Sequence, residues 1–354
     1  MRAFVLAAGL GVRMGSLGES VPKLLLPLGG VPVIRFALDR LRRAGVKEAV
    51  VNLHHRAEAI RAELGESACG VEIRYSFEPE ILGTAGGIKQ AEAFLRETGG
   101  PFFVLNADII SNADLEVALA RHQAGGFLAT LVLRTSPEAE KFGLLAVDKA
   151  GRLRRFLRAE APGQPAGALT EGMFTGQSVL SPEFLDHIPP GRPCGISEEV
   201  YPPLIEGGAL IGALVTNSYW ADVGTPARYL DAADDLLAGR FVPGMDWPAG
   251  GDVLVEGPSM DWGGGVVHPP VLIGKGVRLG RGASAGPFAV LGGGATLGEG
   301  ASVAHSVLFP GAEVGEKVSL ERCIVGPDAL AVSPDGERCI ESVFLKGQPP
   351  PDSF

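Results

Sequence analysis

The chain has 354 residues and a formal net charge of −10 at pH 7. Apolar residues make up 46% of it and charged residues 20%, a composition that can bury a core and excludes extensive disorder. A chain of this length favours two domains. The negative balance argues against nucleic-acid or anionic-membrane partners, because either would need a broad surface of clustered basic charge.

The cysteines and the apolar runs bear on the cellular compartment. Four scattered cysteines lack C-x-x-C spacing, so they form neither a zinc signature nor a dense disulfide framework. The first apolar run, residues 3–11, is too short to span a bilayer, and no segment resembles a secretory signal. We expect a cytoplasmic protein.

Up to about residue 235, short apolar runs alternate with helical patterns. The runs FVLAA at 4–8, EAVVNL at 48–53 and FFVLNAD at 102–108 predict strands. Strands that alternate with helices are typical of a parallel sheet. The prediction is an α/β domain with a Rossmann-like, mostly parallel sheet over residues 1–240.

The following segment, residues 241–265, loses this alternation and is rich in Gly, Pro and Trp, which predicts a linker. Beyond it, over residues 266–345, aliphatic or aromatic residues recur every six positions, and five of the first seven precede a glycine. The seven are Ile273, Leu279, Ala285, Leu291, Leu297, Val303 and Phe309.

A six-residue period with one inward side chain per repeat is typical of a parallel β-helix, in which glycine permits the tight corners. About ten repeats, three to a coil, predict roughly three coils. The segment resembles the left-handed hexapeptide β-helix, and we expect this short domain to serve assembly or regulation.

A glycine-containing loop follows the first predicted strand. Gly9 and Gly11 let backbone N–H groups approach a phosphate, and Arg13 and Lys23 add positive charge. Met14 stands where a dinucleotide-binding loop would have its third glycine, and no Walker G-K-[ST] follows. The loop is predicted to be an anion cradle of another kind, the alternative being a tight turn with ordinary surface charges.

The motif G-x-G-x-R at 9–13, followed by P-K-x-L-x-P at 22–27, resembles the nucleotidyltransferases that make nucleotide-activated sugars from a nucleoside triphosphate and a sugar 1-phosphate. Three further segments match that family in order: L-G-T-A-G-G at 82–87, L-N-A-D at 105–108 and W-A-D-V-G-T at 220–225. Taken alone, the first would be a capped helix start and the other two strand-ending turns.

The resemblance implies a role for each matching residue. Arg13 would meet the β/γ side of the triphosphate and Lys23 the α-phosphate, while Asp108 and Asp222 would hold Mg²⁺. The remaining residues contact substrate: the triphosphate at Ala7, Ala8, Gly9 and Gly11, the nucleobase at Gly83, Thr84 and Gly86, and the sugar at Gly143, Thr175 and Gly176.

One segment departs from the family pattern. Family members commonly carry an E-K-P segment whose lysine meets the sugar phosphate, but the matching region here reads RRFLRAEAP at 154–162. Arg158 is a candidate substitute, with a planar fork in place of a point charge. The alternative is that Arg158 belongs to a solvated basic face.

The resemblance is strongest to the mannose-1-phosphate guanylyltransferase branch. Glucose-1-phosphate thymidylyl-, uridylyl- or adenylyltransferases and N-acetylmuramate-1-phosphate uridylyltransferases share the same framework. A function of another class is a non-catalytic, ligand-sensing regulatory subunit, although such subunits tend to lose the loop arginine or the metal-binding acids. A homo-oligomer is also expected.

Overall fold

The computed structural model describes residues 1–136, 139, 143–245, 247–248, 253–256, 260–333 and 338–348. By packing, the chain divides into two compact units: unit 1 is Met1–Leu10 with Ile34–Trp220, and unit 2 is Gly11–Val33 with Ala221–Phe354. These units are defined by contacts between residues and not by chemical role, so they do not test the predicted domain bounds. The expected homo-oligomer also stays a prediction. No helix in the described part of the chain is long and apolar enough to cross a bilayer.

Before residue 240 the helices and strands alternate. The helices are α1 Gly15–Ser20, α2 Val33–Arg43, α3 Ala57–Leu64, α4 Gly83–Gln90, α5 Glu92–Arg96, α6 Leu115–Gly125, α7 Tyr201–Glu206 and α8 Pro226–Leu237. The strands are β1 Arg2–Leu6, β2 Pro27–Leu28, β3 Val31–Pro32, β4 Glu48–Leu53, β5 Ser67–Ala68, β6 Val71–Phe77, β7 Phe102–Asn106, β8 Ile109–Ser111, β9 Ala129–Arg134, β10 Leu144–Val147, β11 Leu153–Phe156, β12 Ala159–Glu160, β13 Thr170–Leu180, β14 Ile211–Thr216 and β15 Trp220–Asp222.

Unit 1 is built on one large sheet with the order β12-β11-β10-β13-β7-β1-β4-β6-β5. Its centre is parallel, because β1 pairs with both β7 and β4, and β4 pairs with β6. The long strand β13 lies antiparallel to β7 and β9. The central strands are buried apolar runs, as expected for a sheet covered on both faces, and the predicted α/β domain is confirmed.

Unit 2 contains the repeats. Their strands are β16 Val253–Val255, β17 Met260–Trp262, β18 Gly265–Val267, β19 Val271–Ile273, β20 Arg278–Leu279, β21 Ser284–Ala285, β22 Ala289–Leu291, β23 Thr296–Leu297, β24 Ser302–Ala304, β25 Val307–Leu308, β26 Glu313–Val314, β27 Ser319–Glu321, β28 Ile324–Val325, β29 Leu330–Ala331, β30 Arg338–Ile340 and β31 Val343–Phe344. From β18 onward they stack in parallel into three sheets around an apolar core, while β16 and β17 pair antiparallel with β19 and β18. The β-helix predicted from the six-residue period is confirmed.

The β-helix is longer than the repeat count predicts, and its register changes. One face stacks five parallel strands, β19, β22, β25, β28 and β31, where roughly three coils were expected. Ile273 pairs with Leu291 at a step of 18, but Leu291 then pairs with Leu308, one residue short. Exact six-residue spacing therefore wrongly predicts Phe309 as an inward-facing residue of the β-helix. Leu308 takes that place in the core.

Helix α8 packs within unit 2 beside the β-helix. The ring of Phe309 meets that of Tyr229 edge-on at 6.4 Å between centroids, and the Tyr229 hydroxyl donates to the Pro27 carbonyl at 2.7 Å. A ring nitrogen of His305 lies 2.7 Å from Asp234 Oδ2. One helix thus contacts both the β-helix and the segment that carries Lys23.

A buried histidine in unit 1 predicts a pH-dependent stability. His122 is 3% exposed, its ring nitrogens lie 3.1 Å from the hydroxyls of Thr130 and Ser181, and burial lowers its pKa to about 4. The unfolded chain binds the proton near pH 6.5, so the free energy of unfolding falls as the pH drops from about 6.5 to about 4. The expected loss is at most about 3 kcal/mol.

Urea unfolding of the wild type and of His122→Gln at several pH values in this range measures the effect. Other groups titrate equally in both proteins, so the difference between them isolates His122. Parallel pH profiles for the two proteins would contradict the prediction.

Candidate active site

The carboxyl ends of three parallel strands of unit 1 form one edge of the sheet, where ligands bind in open α/β sheets. Ala7 and Ala8 follow β1, and both are buried. The N–H of Ala107 donates to the Leu6 carbonyl at 3.0 Å, which ties the end of β7 to the end of β1. The structure therefore brings the predicted metal ligand Asp108 and the start of the predicted phosphate loop to the same edge.

A buried hydrogen-bonded relay, which the sequence reasoning missed, supports this edge. Asn52 Oδ1 accepts from the N–H of Ala7 at 2.7 Å, and Asn52 Nδ2 donates to Glu78 Oε1 at 2.7 Å. Glu78 Oε2 accepts from the N–H of Leu82 at 2.9 Å. A Cβ on Gly87 would lie 2.5 Å from Glu78 Oε1. The relay links the start of the phosphate loop to the predicted base-reading loop.

The predicted base-reading loop is held by hydrogen bonds to the segment around Cys194. The N–H groups of Ala85 and Gly86 both donate to the Cys194 carbonyl, at 2.9 and 3.1 Å, and Thr84 Oγ1 accepts from the N–H of Ile196 at 2.8 Å. Gly83 has φ +72°, and its Cβ would lie 2.7 Å from the same carbonyl. In this conformation these groups shape the loop, so base contact by it would use other backbone atoms.

The predicted sugar segment lies on β13. Thr175 is buried; its hydroxyl donates to the Val132 carbonyl at 2.8 Å, and its own carbonyl accepts from the Trp220 indole at 3.0 Å. Gly176 has φ +75°, and its Cβ would lie 2.8 Å from Asn106 Nδ2. Gly176 therefore lies against the end of β7, two residues before Asp108.

The segment at 154–162, which matches the family's E-K-P segment but lacks its lysine, contains a hairpin turn. Leu157 and Arg158 connect β11 to β12, and Arg158 is exposed. Gly143, with φ +87°, would place a Cβ 2.3 Å from Leu157 Cδ2. The structure thus brings Gly143 close to this turn, while Phe142 lies outside the described residues.

The cationic end of the loop belongs to unit 2. Gly11 adopts the left-handed conformation at φ +67°, which favours glycine, and its Cβ would lie 3.4 Å from Lys23 Cβ. Gly9 has open space around it, so packing alone does not require glycine there. Arg13 is 59% exposed, and its Nη2 lies 3.6 Å from Asp222 Oδ2.

Asp222 is held in a fixed orientation at the start of α8. Pro226 occupies the first turn, and Thr225 caps the helix by accepting from the N–H of Arg228. Arg228 Nη1 reaches back to Asp222 Oδ2 at 2.7 Å. Asp222 Oδ1 is buried and has no hydrogen-bond partner among the described residues. Arg228 is another residue that the sequence reasoning missed.

The orphaned oxygen of Asp222 fits a magnesium site, because a buried carboxylate oxygen without a donor suits a hard cation. No cluster of three or more His, Cys, Asp or Glu side chains suited to a metal occurs among the described residues. Magnesium commonly takes one or two carboxylates together with substrate phosphates and water. Asp108 and Asp222 belong to different units, so their pairing stays a prediction.

Residues 2–239 match the model of the nucleotidyl transferase family. The chain belongs to the nucleotidyl transferase family. It is 33% identical over 327 residues to a mannose-1-phosphate guanylyltransferase catalytic subunit beta from Drosophila melanogaster, with 92% of this chain and 83% of the relative covered. A mannose-1-phosphate guanylyltransferase from Mycobacterium tuberculosis is 31% identical, with 79% and 77% covered.

A UTP–glucose-1-phosphate uridylyltransferase from Synechocystis sp. is 28% identical, with 94% of this chain and 90% of the relative covered. Among solved structures, HddC from Yersinia pseudotuberculosis aligns with a TM-score of 0.53 at 22% identity, covering 65% of this chain and 97% of HddC. That likeness confirms the fold of the nucleotidyltransferase region. Membership of the family, shown by the match over residues 2–239, makes the protein a nucleotidyltransferase, as the motifs predicted.

The relay between Asn52 and Glu78 can be tested by exchanging the amide at position 52 with the carboxylate at position 78. In Asn52→Asp, two carboxylates face each other and neither can donate. In Glu78→Gln, the new amide nitrogen faces another donor, either Asn52 Nδ2 or the N–H of Leu82. Each single variant therefore loses a hydrogen bond. In the double variant, the new amide nitrogen at position 78 can donate to the new carboxylate at position 52. The amide oxygen at position 78 then accepts from the N–H of Leu82, which restores the relay.

We expect each single variant to lower the free energy of unfolding by about 1–3 kcal/mol, and the double variant to recover most of that loss. A double-mutant cycle from chemical unfolding measures the coupling. Additive losses would contradict the relay.

Proposed function

We propose that the protein transfers a guanylyl group from GTP to mannose 1-phosphate and releases pyrophosphate. The coarser activity, transfer of a nucleotidyl group to a sugar 1-phosphate, rests on family membership together with the motifs at 9–27, 82–87, 105–108 and 220–225. The choice of mannose and guanine is supported by the Drosophila and Mycobacterium relatives, whose names state that activity.

The observation that carries the proposal is the arrangement around Asp222. An exposed arginine, Arg13, lies beside a carboxylate that keeps one buried oxygen without a donor among the described residues. A site for two phosphate groups needs both features, a cation that can meet phosphate oxygens and an anionic ligand for a metal. The alternative of a non-catalytic sensor is disfavoured, because Arg13, Lys23, Asp108 and Asp222 are all present.

The reaction brings two anions together, as an oxygen of the sugar phosphate attacks the α-phosphorus in line with the departing pyrophosphate. Repulsion between the phosphates is the main obstacle, so positioning and charge neutralisation supply most of the catalysis. Arg13 would stabilise the charge on the leaving pyrophosphate and Lys23 the charge at the α-phosphate. Bound Mg²⁺ would supply further positive charge between the phosphates, with Asp108 and Asp222 as its protein ligands.

The remaining proposed contacts involve residues of unit 1. Ala7, Ala8 and Gly9 would present the loop backbone to the triphosphate, while Gly143, Gly176 and Arg158 would contact the sugar phosphate. Thr175, predicted to join them, has its hydroxyl and carbonyl already bonded, so it would support Gly176 instead. The uridylyltransferase from Synechocystis keeps UTP with glucose 1-phosphate as the main alternative. Thymidylyl, adenylyl and N-acetylmuramate variants of the reaction remain further alternatives.

A panel of nucleoside triphosphates against sugar 1-phosphates, with Mg²⁺ present and pyrophosphate release as the readout, tests this proposal. We expect the highest kcat/KM with GTP and mannose 1-phosphate. A preference for UTP and glucose 1-phosphate would overturn the substrate assignment and leave the reaction class standing. No release with any pair would support the sensor.

We further predict that Asp108→Asn and Asp222→Asn each lower kcat by at least about 10²-fold, because each removes a charge that holds the metal against the approaching phosphates. Folding should change little, as judged by thermal melting, because the amide oxygen in Asp222→Asn can still accept from Arg228. Asp186→Asn and Asp235→Asn are matched controls, because these aspartates pair with surface arginines, Arg96 and Arg240. Near wild-type turnover in either test variant would remove that aspartate from the metal site.

A further inference from the structure

Gly224 lies where a side chain would collide with charged groups of the site. A Cβ built on it would lie 2.7 Å from Arg13 Nη2, 3.0 Å from Arg13 Cζ and 2.8 Å from Asp222 Oδ1. The guanidinium of Arg13 therefore lies directly against the Gly224 backbone. Both contacts are shorter than a Cβ tolerates, so a Cβ does not fit unless both side chains move.

The backbone gives no separate reason for glycine here. Gly224 is not among the glycines with positive φ, so an alanine could adopt the same main-chain conformation. The atoms that a Cβ would meet are the far ends of side chains, and that of Arg13 is 59% exposed. An alanine at 224 would therefore displace the guanidinium of Arg13 and press on Asp222 Oδ1, without forcing the backbone to change.

On the other side of Gly224, the carboxylate of Asp222 is held in place. Asp222 Oδ2 is held by Arg228 at 2.7 Å and lies 3.6 Å from Arg13 Nη2. Arg228 belongs to the first turn of α8, which Thr225 caps. The carboxylate of Asp222 and the bare backbone of Gly224 thus confine the guanidinium of Arg13 from two sides.

We propose that Gly224 is a positioning residue for Arg13: it leaves the space in which the guanidinium lies beside Asp222, and so sets where Arg13 meets the pyrophosphate part of the substrate. This inference rests on the proposed function for the role of Arg13. Gly224 itself touches no reacting atom. A displacement of about 1 Å at a charge-stabilising group can cost about 10²-fold in rate.

The test is a double-mutant cycle with Arg13→Ala, Gly224→Ala and the double variant. We expect Gly224→Ala to lower kcat by about 10²-fold, with KM for the triphosphate no higher than in Arg13→Ala and the melting temperature little changed. The double variant should lose much less than the product of the two single losses, because displacing Arg13 no longer matters once its side chain is absent and only the pressure on Asp222 Oδ1 remains. Multiplicative losses would overturn the proposal.

Gly100→Ala is the matched control, since a Cβ there meets nothing within 4 Å, and it should behave as wild type. A second readout needs no turnover: calorimetric binding of inorganic pyrophosphate in the presence of Mg²⁺. We expect Gly224→Ala to bind it as weakly as Arg13→Ala does. Equal affinity in wild type and Gly224→Ala would overturn the proposal, whereas the absence of turnover in the wild type would overturn only the proposed function.

Discussion

The ion pair between Arg228 and Asp222 is the interaction on which the arrangement of the charged groups around Asp222 depends. It fixes one carboxylate oxygen at 2.7 Å and leaves the other buried without a donor among the described residues. The cap at Thr225 supports this arrangement, because it starts α8 where Arg228 can reach back. Arg13 and the bare backbone of Gly224 then take their places around the same carboxylate. Charge, helix capping and the absence of one side chain act together here.

Unit 1 follows a different principle, since its loops are shaped by hydrogen bonds to buried groups. Asn52 and Glu78 connect the end of β1 to the loop before α4, and the Cys194 carbonyl takes N–H groups in the first turn of that helix. Buried polar groups must be paired, so these bonds leave the loops little freedom. A rigid edge of this kind suits a reaction in which positioning and charge do most of the work.

The β-helix is in contact with residues of the proposed site through α8. Tyr229, Asp234 and Asp231 on this helix meet Phe309, His305 and Arg322 of the β-helix. The same helix begins at the cap that orients Asp222. A contact network within one compact unit gives the β-helix a structural reason to be present in addition to any role in assembly.

The sequence by itself determined the α/β domain and the β-helix, and it predicted a phosphate loop. Apolar periodicity and glycine spacing are local properties, and short-range physics is enough to interpret them. It misplaced Phe309, because the step from Leu291 to Leu308 is one residue short and only the stacking of β22 on β25 shows where the missing residue falls. Asn52, Glu78 and Arg228 could not be selected either, since buried pairing depends on partners far along the chain or on the direction in which a helix starts. The tertiary structure alone decided which polar side chains hold the loops and which oxygen of Asp222 is buried without a donor among the described residues, because hydrogen-bond pairing and burial are properties of the packed molecule.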